Sequence, residues 1–209
     1  MGKYWRFRGH ENLDKAIFPG SGPFDVPALE PVHVDCADFL QFNQAASYTG
    51  DTARMGLHFF QHDDLFQRVW DNPDDYVSQL RRFQCVCSPD FSLYTDYPKA
   101  MQVWNHYRKH WLAAYWASKG IVVLPTIAWS DESSLSWCFS GEPVGSDVIV
   151  SSVGTQTTER SKALFLLGYK AMLARLHPTT VYFQGSVPEG VSGNLRVLPK
   201  NMTARMMRA

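Results

Sequence analysis

Ile121-Val122-Val123-Leu124-Pro125 is the run that decides the fold class. Its apolar, mostly β-branched residues follow one another without alternation, the pattern of a strand covered on both faces, as in a parallel sheet flanked by helices. Similar runs lie on either side of it. Upstream are Cys85-Val86-Cys87 and a stretch from Met55 to Phe60; downstream are Val148-Ile149-Val150, within 147–151, and Val181-Tyr182-Phe183, the last strand expected. Pro31-Val32-His33-Val34 is a further candidate.

Helical signals fill most of the gaps. Asn72-Pro73-Asp74-Asp75 combines a capping Asn, a Pro suited to the first helical position and two carboxylates at the positive end of the dipole, predicting a helix to about Phe83. Pro98 opens the longest helix and Gly120 ends it. Met101, Trp104, Tyr107, Trp111 and Tyr115 recur at three and four along it, predicting one buried stripe. Arg108 falls on or beside that stripe, Lys109 and His110 nearer the polar side. Thr157 or Thr158 caps another helix reaching about Leu176, and a helix is also expected over 37–46.

Strands alternating with helices imply α/β: a mainly parallel sheet of five or six strands in βα units, as an open sheet or an incomplete barrel. Three sections are expected. Residues 1–30 are an irregular leading segment broken by Pro19-Gly20-Ser21-Gly22-Pro23, residues 31–186 a single α/β domain, and residues 187–209 a basic, flexible tail. The tail carries Arg196, Lys200, Arg205 and Arg208 against the single acid Glu189.

Composition bounds the function classes. With 45% hydrophobic and 14% aromatic residues the chain can build a large core, and its formal net charge of zero provides no global field for nucleic acid or anionic lipid. No run approaches the roughly 18 apolar residues of a membrane span, and no signal-peptide pattern follows Met1, so a protein of the cytoplasm is expected, without membrane contact. Cys36, Cys85, Cys87 and Cys138 form no Cys-x-x-Cys pair and read as buried hydrophobes. No dinucleotide fingerprint, P-loop or nucleophile elbow is present, which removes most support for those classes. His58 and His62, in a strand-to-loop context, do not share a helical face.

In a parallel sheet the carboxyl ends of the strands share one edge, where chemistry usually gathers. Asp63, Asp64, Asp90, Ser92, Asp131, Glu132 and Ser152 are placed there. Asp63, Asp90, Asp131 and Glu132 are the candidate catalytic groups, as general acid and base or as carboxylates sharing Mg²⁺ or Mn²⁺. The competing role for each is to cap a helix or close a turn. Arg108 needs a partner: an acid in a structural ion pair, or an anionic ligand held by its guanidinium. Trp129 is a candidate stacking surface, and Tyr94 and Thr126 complete the ligand-binding set.

Several pieces together resemble a known family. His58-Phe59-Phe60 with Asp63-Asp64, Ser88-Pro89-Asp90-Phe91-Ser92-Leu93-Tyr94, Tyr97-Pro98, Tyr107-Arg108 with Trp111, and Pro125-Thr126 with Trp129-Ser130-Asp131-Glu132 are similar to an uncharacterised domain-of-unknown-function family encoded by phages, plasmids and other mobile elements. His62 before the acid pair and the lack of a second Arg beside Trp111 depart from its pattern. The resemblance implies a setting, a bacterial host cytoplasm, and no reaction. Three functions follow as expectations: binding, with or without hydrolysis, of a nucleotide-like or other anionic small molecule at the strand ends; a nucleic-acid-associated replication or partition accessory acting through the basic N-terminal segment and the basic tail; and a glycosidase-like hydrolase with two carboxylates.

Overall fold

The computed structural model describes residues 9–199. A short antiparallel pair, β1 (Gly20–Ser21) and β2 (Val26–Pro27), precedes seven strands that are all parallel. β3 (Asp38–Gln41), β4 (Met55–His58), β5 (Cys85–Cys87) and β6 (Val123–Leu124) form one sheet in chain order. β7 (Val148–Ser151), β8 (Val181–Gln184) and β9 (Leu195–Val197) form a second, also in chain order. A single parallel bridge, Thr126 to Ile149, joins them, with Ile127 N–H donating to Ile149 O at 2.9 Å and Ile149 N–H to Pro125 O at 2.8 Å. The α/β class is as expected; the strands divide into four and three and do not form one sheet of five or six.

Four helices connect the strands: α1 (Gln67–Asp71), α2 (Val77–Leu80), α3 (Lys99–Ser118) and α4 (Glu159–Leu176). Thr158 begins α4 with a reciprocal cap, its hydroxyl accepting from Ser161 N–H while the Ser161 hydroxyl accepts from Thr158 N–H. Between the sheets lies one shared cluster, in which Phe39, Cys85, Cys87, Leu124, Ile149, Tyr182 and Leu198 pack together. The four cysteines are free and buried, as hydrophobes should be.

The segment before β3 ties the two sheets together from the other side. Val32 N–H donates to Ser146 Oγ at 3.0 Å, Val34 N–H to Asp147 Oδ2 at 2.8 Å, and Tyr182 Oη to Val34 O at 2.7 Å. Residues 31–34 are therefore connected without being a strand, because their backbone donors meet side chains instead of a ladder. Arg196, in β9, pairs with Asp35 at 2.6 Å.

Several elements differ from expectation. Residues 38–41 form β3, not part of a helix over 37–46, because pairing with β4 outweighs local propensity. The predicted helix from Asn72 is a turn followed by the single turn of α2: Asp74 is held by Tyr115 Oη and Lys15 Nζ, away from any helix terminus. β6 is two residues long and Val122 is 44% exposed, so the run that set the fold class is covered on both faces only at its end. A strand, β9, follows the one expected to be last. Lys200, Arg205 and Arg208 lie outside the described residues.

The connection through Asp147 is testable. Asp147→Ala leaves the Val34 N–H unpaired in a half-buried site and is expected to cost about 1–3 kcal/mol in urea unfolding. Asp35→Ala, which removes only exposed ion pairs, should cost less than about 1 kcal/mol.

Candidate functional site

A cavity of about 650 Å³ opens where the carboxyl ends of β3 to β8 meet. Gln41 closes β3 on one side, and Phe60, Gln61, His62 and Leu65 follow β4. Asp90, Ser92, Leu93 and Tyr94 come from the loop after β5; Ile127, Ala128 and Trp129 follow β6. Ser151, Val153, Gly154 and Thr155 end β7, Gln184 ends β8, and Phe165 of α4 completes the wall. Among the described residues no lysine or arginine lines it.

Of the candidate catalytic acids, Asp90 alone is in this lining. Burial pushes its carboxyl up to about 7, with Asp63 adding to the rise and the Lys109 ammonium opposing it. No hydrogen bond to a described residue offsets the cost. Gln61 is in a similar state: both atoms of its side-chain amide are buried without a partner among the described residues. A carboxyl that titrates near neutrality in the wall of a cavity is a place for a ligand to hydrogen-bond and exchange a proton.

Ser92, Tyr94 and Trp129 are also in the lining, and most of the other expected groups are engaged with the scaffold. Asp63 accepts from Ser92 N–H at 3.1 Å and Ser92 Oγ at 2.8 Å, tying the loop after β5 to the loop after β4. Asp64 is exposed beside it, outside the cavity lining. Arg108 donates to Asn105 Oδ1 at 3.1 Å and Gln67 Oε1 at 2.6 Å, stands 3.9 Å from Asp63, and covers the Phe91 ring at 3.6 Å. Its guanidinium is thus a structural partner and not an anion clamp in the cavity. Asp131 caps the 3-10 turn Glu132–Ser136, accepting from Ser133 N–H and Oγ and from Ser134 N–H, which hold its carboxyl below the usual range. Glu132 is exposed within that turn.

Thr126 is buried, donating to Ser88 O at 2.6 Å, and Ser152 donates to Ser186 O at 2.6 Å; Ser151, its neighbour, is the one in the lining. Trp129 donates from its indole to Leu164 O at 3.2 Å and packs on Phe165 with ring centroids 5.4 Å apart. A Cβ on Gly168 would stand 2.2 Å from the Trp129 Nε1, so α4 approaches the cavity wall at a residue without a side chain. Arg196 is engaged with Asp35 and lies 5.7 Å from the centre of the Tyr182 ring.

Helix α3 carries residues that the apolar stripe did not indicate. Met101 is 49% and Trp104 40% exposed, whereas Gln102, Asn105, His106, Lys109 and His110 are buried. Each of these polar groups meets backbone: Gln102 donates to Tyr94 O and Tyr97 O, Asn105 to Ser92 O, and Lys109 to Thr126 O, while His106 pairs with Ser140 O and His110 with Pro27 O. Lys109 and His110 therefore lie opposite to the side expected. Their own recurrence at three and four, 102-105-106-109-110, was the available signal. Among the described residues one group of three or more possible metal ligands lies close enough together to share an ion, His106, His110 and Glu142, and it includes none of the strand-end acids.

The state of Asp90 sets a pH dependence. The folded chain holds its carboxyl at about 7 and an unfolded aspartate titrates near 3.9, so the folded state binds an extra proton between those values. The associated stability is full below about pH 4 and is lost as pH rises through about 7. Asp90→Asn, neutral throughout, should flatten that slope, becoming more stable than the parent at pH 8 and little different at pH 4, as read by urea unfolding.

Residues 18–199 match the family described as a domain of unknown function (DUF4417). The chain is 35% identical over 172 residues to the Gene 1 protein of Mycobacterium phage D29, covering 82% of this chain and 64% of that protein. It is 34% identical over 175 residues to the Gene 1 protein of Mycobacterium phage L5, covering 83% of this chain and 76% of that protein. The chain thus spans just under two thirds of the length of the first of these relatives. No solved structure matches it. With most of its length in the match and relatives in two phages, the chain belongs to the DUF4417 family of phage-encoded proteins.

Proposed function

We propose that the two parallel sheets form the wall of an incomplete barrel whose carboxyl-terminal mouth binds a small, uncharged, ring-bearing molecule of the nucleobase or nucleoside class. The observation that carries this reading is Asp90, a carboxyl in the cavity wall, raised to about 7 and without a hydrogen bond to a described residue; Gln61, whose amide is unpaired among the described residues, belongs to the same wall. A nucleobase presents paired donors and acceptors in one plane, which a carboxyl and an amide satisfy together. Phe60, Tyr94, Trp129 and Phe165 supply aromatic surface, and Gln41 and Gln184 further amides.

The same lining narrows the nucleotide-like expectation to its neutral part. With no cation among the described lining residues and with Arg108 covered by Phe91, a phosphate would enter a cavity whose one formal charge is a carboxylate. The two-carboxylate hydrolase is less well supported, because Asp90 has no second acid in the lining. A carboxyl titrating near neutrality is suited to give or take a proton at a ring nitrogen, so the site is equipped for binding and for acid–base chemistry on the same molecule. Such ligands are available in the cytoplasm of an infected bacterium, which is the setting proposed for this chain.

A thermal-shift series with free bases, nucleosides and nucleotides tests the reading. Stabilisation by one or more bases or nucleosides at millimolar concentration is expected, with the corresponding nucleotides weaker. Asp90→Asn and Gln61→Leu should each weaken the effect at least about tenfold. No response to any base or nucleoside, or a preference for the phosphorylated forms, would overturn it.

A further inference from the structure

We propose that His106, His110 and Glu142 form a closed site for one dication of the zinc type, separate from the cavity at the strand ends. Helix α3 places His106 and His110 at i and i+4, on one face, and the segment after Trp137 brings Glu142 against them. One ligand atom from each of the three lies within 4.8 Å of the others.

The hydrogen bonds around the cluster decide where the lone pairs point. His110 Nδ1 is 2.9 Å from Pro27 O and His106 Nε2 is 3.0 Å from Ser140 O. A carbonyl only accepts, so in each ring that nitrogen carries the proton. A neutral imidazole has no second proton, which leaves His110 Nε2 and His106 Nδ1 as bare acceptors. His110 Nε2 then stands 2.9 Å from Glu142 Oε1, lone pair toward lone pair. His106 Nδ1 and Glu142 Oε2 are buried with no hydrogen-bond partner among the described residues.

Three electron-pair donors with nothing to accept from are what a metal ion satisfies, and the donor set of two imidazoles and a carboxylate is one that zinc takes. Outer nitrogens tied to backbone carbonyls are the usual second shell of such histidines. Three protein ligands leave the fourth tetrahedral position to a water, and zinc at about 2.0–2.1 Å from each ligand needs donors about 3.4 Å apart. The backbone is closed over the site: Gly141 has φ +78°, and a Cβ there would meet Pro27 O at 2.5 Å and His110 Nδ1 at 2.9 Å.

Lys109 is the group the ion must coexist with. Its ammonium donates to Glu142 Oε1 at 2.5 Å and to Thr126 O at 2.9 Å, leaving Oε2 for the metal. The like charges reduce affinity without removing a ligand. The alternative to a metal is a proton held between His110 Nε2 and Glu142 Oε1, and the experiment separates the two.

Because the site is buried, loading is read on refolding. Tag-free protein is unfolded in chelator and refolded with Zn²⁺ or Co²⁺, then freed of excess ion and analysed for metal content. One equivalent per chain is expected, with the visible absorption of tetrahedral Co²⁺ and a Tm raised by about 5 °C at a hundredfold excess over Kd. His106→Gln, which still offers an N–H to Ser140 O, should bind at least about tenfold more weakly, its fold checked by near-UV circular dichroism. Refolded parent protein that retains no metal, or His106→Gln that retains as much as the parent, would overturn the proposal.

Discussion

Backbone carbonyls buried at the strand ends have to be hydrogen-bonded, and helix α3 supplies the donors. The loop after β5 and the segments around Thr126 and Ser140 turn their carbonyls toward the first half of the helix, where no ladder can reach them. Leaving such groups unpaired costs about 1–3 kcal/mol each, more than a polar side chain loses on burial when it finds a partner. Hence the inner face of α3 at that end is Gln, Asn, His and Lys, while Met101 and Trp104 turn outward. Further along, where α3 passes the core, Trp111, Leu112 and Trp116 are wholly buried and the ordinary apolar rule returns.

The candidate site follows from this division of work. Asp63 and Arg108 are both consumed in tethering loops, one to Ser92 and the other to Gln67, Asn105 and Phe91. Asp131 is consumed by its own turn. What these contacts do is hold the loops still, and by doing so they leave Asp90 as the one acid in the cavity lining. Its raised carboxyl is a consequence of the packing around it, with the Lys109 ammonium too weakly placed to cancel the effect of burial.

The sequence was most legible where one physical requirement acted alone. β5, β7, β8 and both long helices read correctly because there the apolar runs, the Pro before α3 and the Thr cap of α4 met no competing long-range partner. A cavity lies at the strand ends to which the sequence pointed. Reading failed where long-range partners decided the outcome: β3 is made by pairing with β4, and the Asn72 helix is lost to Tyr115 and Lys15, neither of which is near in sequence. It failed too on α3, since an apolar stripe and a polar stripe of equal period coexist there, and only knowledge of the carbonyls above them tells which is buried. Asp90 could be named, but nothing local distinguished it from Asp63 or Asp131.

The contact between Gly168 and Trp129 bears on how such a cavity can change over time. Its width at that side is set by how closely a helix lies against a strand end, and not by the size of a side chain pointing into it. Exchanging the amides or rings around the rim therefore alters which molecule is preferred while the overall aperture stays the same. A larger ligand would demand displacement of α4 as a body, together with the strands it covers. Members of the family that keep a residue without a side chain at this point are expected to vary in chemical taste within one common size class.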